Sequence, residues 1–292
     1  SVAGLYEDSL FTGNIYEFLN LKEKILPHEP VAVITPFQRE IRLENVNFRY
    51  PDNDTPALED INMTLSKGEV VALVGPNGSG KSTLVRILCR LYDPDSGSVL
   101  YDGKDIKNFV PEEYRKQFSV LFQDFMLYNL TAGENIRLGN VAKASDAGKI
   151  KEAASEAGIH SLIESLPQGY ETFIGPLFNE GRELSWGEWQ KIALARTLYR
   201  DAPIMVLDEP SSALDADAEY EIFNRFREAV KGKTVLLISH RFTCIRLADR
   251  IIVLNKGKIA ESGTHEELMQ VKGIYYNLYL RQKSMYRDEK QT

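Results

Sequence analysis

The nine residues Gly75-Pro76-Asn77-Gly78-Ser79-Gly80-Lys81-Ser82-Thr83 constrain the fold of this chain more than any other stretch. They follow the pattern G-x-x-x-x-G-K-[ST], which carries meaning only between a strand and a helix. Both flanks are present. Val70-Val71-Ala72-Leu73-Val74 reads as a short buried strand, and Leu84, Val85, Ile87, Leu88 and Leu91 mark an apolar helix face. The glycines let successive N–H groups converge on phosphate oxygens. Lys81 adds a point charge toward the terminal phosphates, Ser82 offers a hydroxyl to Mg2+, and the helix N-terminus adds its positive dipole end.

Bulk properties narrow the class. With 292 residues, 43% of them hydrophobic, the chain is globular and large enough for one big domain or two smaller ones. A net charge of −7 argues against a nucleic-acid partner, because backbone-phosphate binding usually needs a basic face. The two cysteines, Cys89 and Cys244, lie far apart without metal-ligand spacing and read as reduced core thiols of a cytosolic setting. No apolar run approaches the ~20 residues that cross a bilayer, and the N-terminus lacks the pattern of a signal peptide. The expectation is a chain that does not itself span a membrane, and its first residue, Ser1, suggests a processed chain or a piece of a longer one.

Along the chain, Leu10, Phe11, Ile15, Phe18, Leu19 and Lys22 follow helical spacing before Pro27, Pro30 and Pro36 break regular structure. Residues 1–36 therefore read as a helix and linker, and periodicity alone does not say what the helix packs against. Ile41–Leu43 and Val46–Tyr50 alternate as strands around an irregularity at Glu44-Asn45, and Val99–Tyr101 adds another, so an antiparallel layer is expected here. Phe118–Phe122 is a buried strand ending at Gln123-Asp124. A helical stretch follows from about Thr131 to Leu166, with Ile150, Ala153, Ala154 and Ala157 on one face, and reads as an inserted subdomain. From Trp186 the chain alternates again: helix 186–200, strand 204–207, helix about 216–230, strand 234–238, strands 251–254 and 258–260, then helix beyond His265. Alternation of this kind implies an α/β parallel sheet.

Two further stretches carry chemistry. Asp208 ends the apolar strand Ile204–Leu207, where a carboxylate can reach a Mg2+ shell, and Glu209 follows it, pointing elsewhere and able to orient or deprotonate water. In Leu184-Ser185-Trp186-Gly187-Glu188-Trp189-Gln190, Ser185 and Glu188 have capping-box spacing. That spacing fits equally a well-made helix start and a helix N-terminus presented to an anion.

Taken together, residues of about 38–283 resemble the nucleotide-binding domain of an ABC transporter. After the phosphate loop, Gln123 resembles the Q-loop, Leu184 to Gln190 the signature motif, and Asp208 and Glu209 the Walker B pair. Ser211-Ser212-Ala213-Leu214-Asp215 resembles the D-loop, and His240 in Ser239-His240-Arg241 resembles the H-switch histidine. Tyr50, 25 residues before Gly75, sits where the family places an aromatic that stacks on adenine. The resemblance implies an α/β P-loop NTPase core with a mixed sheet, an antiparallel β subdomain and an inserted α-helical subdomain of about 131–200 within residues 37–292. It implies ATP and Mg2+ as ligands. Two such domains would sandwich two ATP molecules, each between one chain's Gly75–Thr83 and the other's Ser185, Gly187 and Glu188, with Asp215 arranging the interface. Catalysis would fall to Lys81, Gln123, Glu209 and His240, and metal binding to Ser82, Gln123 and Asp208.

Within the family, Tyr92-Asp93-Pro94-Asp95-Ser96-Gly97 and Ser239-His240-Arg241 resemble exporter domains. Lys81 and Ser185 lie 104 positions apart, too close for the coiled-coil insertion of the DNA-repair relatives, and a single cassette disfavours the translation-factor relatives. The implied protein is an exporter motor at the cytoplasmic face of the membrane, homo- or heterodimeric, with residues 1–36 as the end of a transmembrane domain and Phe125–Tyr128 facing it. A soluble ABC-type ATPase acting as a mechanical or regulatory module is the alternative. The signature departs from the family pattern at Trp186, where a glycine is usual. The expectation is intact ATP binding with slowed dimer closure or turnover. Residues 178–183 also differ from the exporter pattern before the signature.

Overall fold

In the computed structural model the described residues are 12–13, 15–21, 23, 25–51, 53–175, 182–209, 230–239, 241, 245–246 and 248–289, with side chains described to 283. The centre is a six-stranded sheet of β3 (Val70–Val74), β6 (Phe118–Leu121), β9 (Ile204–Asp208), β10 (Thr234–Ile238), β11 (Arg250–Asn255) and β12 (Lys258–Gly263). Their order is β12-β11-β3-β10-β9-β6. All neighbours are parallel except β11 and β12, so the sheet is mixed. Because side chains alternate along a strand, each strand feeds two cores. Met205, Leu207, Val235 and Leu237 face a core shared with the helical subdomain, while Ile204, Val206, Leu236 and Ile238 face the opposite one.

That opposite core is closed by a four-stranded antiparallel sheet ordered β2-β1-β4-β5, from β1 (Glu40–Phe48), β2 (Leu58–Ser66), β4 (Ser96–Tyr101) and β5 (Lys104–Asp105). The irregularity expected at Glu44-Asn45 is present: the β1–β2 register shifts between Leu43 and Val46, and Asn45 adopts φ 48°. No strand is legible in the sequence of residues 58–66, where β2 lies. Buried Leu58 and Ile61 are three residues apart rather than two, because Asp60 adopts φ 50° and the register slips there, and this breaks the alternation that marks a strand.

Between β6 and its parallel neighbour β9 the chain makes the helical block. Its helices span Ala132–Arg137, Ala147–Glu156, His160–Glu164 and Trp186–Arg200, and a short ribbon of β7 (Leu130–Thr131) and β8 (Phe173–Ile174) ties its ends. Ala132, Ala153, Ala154 and Ala157 are buried there, small enough for helices to pack closely. Residues 12–13 and 15–19 are helical, and Ile15, Tyr16, Phe18 and Leu19 are exposed. The extended stretch after them is tied to the domain by His28 N donating to Lys107 O and Ala32 N to Asn108 O, both at 2.7 Å. The helix expected near 216–230 lies outside the described residues.

Candidate nucleotide site

The phosphate loop joins β3 to helix α1 (Lys81–Leu88). Two of its glycines are irreplaceable on steric grounds. Gly75 has φ 154°, and a Cβ there would overlap Leu254 O; Gly80 has φ 105°, and a Cβ would lie 2.7 Å from Ala57 O. The loop therefore rests against the backbone of β11 at Leu254 and of Ala57, just before β2. Lys81 Nζ donates back to Gly75 O at 3.0 Å and Pro76 O at 3.1 Å, bending over its own loop. Burial draws its ammonium below the ordinary range, against the pull of Glu209 and Asp208. Ser79 Oγ is buried with no hydrogen-bond partner among the described residues. A buried hydroxyl with nothing to bind is costly, and a ligand oxygen would satisfy it.

A cleft of about 570 Å³ runs from Gly78, Gly80, Lys81, Ser82 and Thr83 to Tyr50. Tyr50 is half-buried; its hydroxyl accepts from Arg86 Nη1 at 2.9 Å and lies 3.3 Å from Thr83 Oγ1, and its ring meets Phe48 and Tyr92 edge-on. A second cleft, of about 300 Å³, brings Ser82, Gln123 and Asp208 together with Arg86 and Asp124. Asp208 is buried at the end of β9, and burial pushes its carboxyl up to about 6, with Glu209 adding to the shift and Lys81 opposing it. A buried carboxylate facing a hydroxyl and a neutral amide suits a small hard cation.

Glu209 takes φ 52°, the left-handed region that non-glycine residues seldom adopt. Its N–H donates to Ile238 O at 2.9 Å, its carbonyl accepts from Gln190 Nε2 at 2.9 Å, and its carboxylate accepts from Gln123 Nε2 at 3.3 Å. The structure thus brings together Lys81, Ser82, Gln123, Asp208, Glu209 and Tyr50 around the loop. Ser185, Gly187 and Glu188 line neither cleft. They form the start of a separate helix, α6 (Trp186–Arg200), with the expected capping box: Glu188 N donates to Ser185 Oγ at 3.3 Å, and Ser185 N to Glu188 Oε2 at 2.7 Å. Trp186 is 52% exposed and stacks on Phe125, with ring centroids 4.8 Å apart. His240, Asp215 and residues 178–181 lie outside the described residues. In sequence Gln190 is only the end of the signature motif; its hold on Glu209 joins segments 19 residues apart through the fold and leaves no sequence signal.

Comparison with known proteins decides the family. The ABC transporter family model matches residues 58–212, just over half of the chain. The chain belongs to the ABC transporter family. It is a nucleotide-binding domain of that family, and it is 42% identical over 275 residues to the subtilin transport ATP-binding protein SpaT of Bacillus subtilis, covering 94% of this chain and 45% of that one. With an ATP-dependent lipid A-core flippase of Syntrophus aciditrophicus it shares 41% over 265 residues, covering 91% and 43%. The solved structure of a bacterial Atm1-family ABC exporter with ATP bound superposes with a TM-score of 0.85 at 33% identity, over 95% of this chain and 47% of that chain. The chain therefore spans about half the length of these relatives. No helix among the described residues is long and apolar enough to cross a membrane.

Proposed function

We propose that this chain is the ATP-hydrolysing motor of an exporter and works as one of two such domains that close around two ATP molecules. The observation that carries the proposal is the division of the site. Lys81, Ser82, Gln123, Asp208 and Glu209 gather at the phosphate loop, whereas the helix start at Ser185–Glu188 lines neither cleft. A second chain's helix start completes such a half-site, its free N–H groups and dipole facing the terminal phosphate.

Within the half-site, the loop's N–H groups and Lys81 bind the phosphates, and Tyr50 stands in the cleft wall toward the base. Ser82, Gln123 and Asp208 are the residues to hold Mg2+, which when bound neutralises charge on the terminal phosphates. Glu209 takes the proton of the attacking water, with Gln123 holding its carboxylate. His240 and Asp215 take the γ-phosphate and interface roles that the resemblance implies.

Attachment to a membrane domain, at the cytoplasmic face, is supported by two surfaces. Phe125, Met126 and Tyr128 line a groove of about 370 Å³ with Arg196 and Arg200, and the apolar residues Ile15 to Leu19 are exposed on the N-terminal segment. Residues 1–36 then form the connection and residues 37–292 the motor. The test is Glu209→Gln. ATP hydrolysis should fall by a factor on the order of 10² or more while ATP affinity stays within about twofold. Hydrolysis at the parent rate would remove Glu209 as the base.

A further inference from the structure

We infer that Gln190 is the positioning residue of Glu209, fixing the backbone from which its carboxylate projects. The inference rests on the role proposed for Glu209 and adds to it a residue to which no role has been given.

Gln190 is 3% exposed, on the second turn of α6, and its amide donates to the Glu209 carbonyl at 2.9 Å. Glu209 lies just past the end of β9. Its N–H is held by Ile238 O, one step beyond the last paired residues of β9 and β10. With the N–H fixed on one side and the carbonyl on the other, both peptide planes flanking the Cα are set. The Cα–Cβ direction follows from them, and that direction aims the carboxylate at Gln123. The aim depends on φ 52°, a conformation that a glutamate leaves readily once its restraints go, because ordinary helical and extended regions are lower in energy.

The origin of the restraint matters as much as its existence. Gln190 shares a helix with Ser185 and Glu188, whose capping box fixes the first turn. A helix turn moves as a rigid unit, so a shift at the capped end carries the Gln190 amide with it. When that end meets the nucleotide held by the opposing chain, the shift reaches Glu209 of its own chain. Gln190 thus connects the contact made across the dimer to the base that acts in the other half-site.

Gln190→Met keeps the length of the side chain and removes the donor; Gln190→Lys restores an N–H donor. Steady-state ATPase and equilibrium ATP binding are measured on the full protein. The expected result for Gln190→Met is a kcat lower by a factor on the order of 10 to 100, since misplacement of a reacting group by about 1 Å has that effect. ATP affinity should stay within about twofold, and Gln190→Lys should recover much of the loss. If Gln190→Met does not fold, Gln190→Glu, which sets an acceptor against the carbonyl, must show the same drop in kcat. Parental kcat in Gln190→Met, or in Gln190→Glu where Gln190→Met does not fold, overturns the inference, and so does a parallel loss of kcat and ATP affinity, which would make Gln190 a general support of the fold. If Glu209→Gln itself hydrolyses ATP at the parent rate, the assignment of the base fails instead, and the two failures stay distinct.

Discussion

A single methyl group at Gly80 would test how tightly the phosphate loop is built. Its φ of 105° is costly for any L side chain, and the added Cβ would press on Ala57 O at 2.7 Å and on Leu58 Cδ2 at 3.0 Å. Neither contact relaxes cheaply, because one is backbone and the other belongs to a fully buried leucine of β2. Gly80→Ala should therefore lower stability by about 1–3 kcal/mol and weaken ATP binding at least about tenfold by displacing the N–H groups that follow it. Denaturant melts and nucleotide titration would measure the two effects. Parental values in both would mean that the loop yields where its packing says it cannot. The buried Ser79 hydroxyl belongs to the same scale: it has no partner among the described residues, so this loop is organised for oxygen atoms that come from outside it.

Between elements, the Arg250–Glu69 ion pair is one of the links that join the antiparallel layer to the central sheet. Arg250, opening β11, donates from Nε to Glu69 Oε1 at 2.8 Å and from Nη2 to Thr64 O at 2.6 Å. Glu69 also accepts from Ser66 N at 2.9 Å, closing the turn between β2 and β3. Burial raises the Glu69 carboxyl, but these hydrogen bonds and the charge of Arg250 outweigh it, and the net shift is downward from the ordinary 4.5. A carboxyl whose folded-state value is depressed gives stability that is complete above its unfolded value and is lost as pH falls through the folded one. Glu69→Gln should thus cost about 1–2 kcal/mol near pH 7, and the deficit should shrink as pH drops below about 4.5. Melts of both proteins across that range check it, and a deficit independent of pH would remove the charge from the account. The same junction shows what could be read in sequence. Strands buried on both sides, such as β9 and β10, announce themselves as apolar runs, and the capped start at Ser185 follows from spacing alone. The strand β2 did not, because its slip at Asp60 hides the alternation, and Gln190 and Arg86 gave no signal because their partners, Glu209 and Tyr50, come from other elements.

For the whole molecule, the decisive question is whether two half-sites close on each other, and the chain carries its own reporter. Its two tryptophans, Trp186 and Trp189, both lie in the first turn of α6. Trp189 is buried, and Trp186 is half exposed and stacked on Phe125. Acrylamide should therefore quench Trp186 in the free chain and leave Trp189 largely shielded. If the helix start meets the nucleotide of a second chain, adding ATP to the Glu209→Gln variant should protect Trp186, with the protection following the appearance of dimer. Trp186→Phe should abolish the quenchable component. Quenching unchanged by ATP while dimer forms would place the interface elsewhere. The stack also sets a magnitude for the departure from the family's glycine. An aromatic pair is worth about 0.5–1.5 kcal/mol, and if closure must break it, Trp186→Gly should raise turnover by roughly two- to tenfold. Equal ATPase rates in the two proteins would show that the indole is no brake on closure.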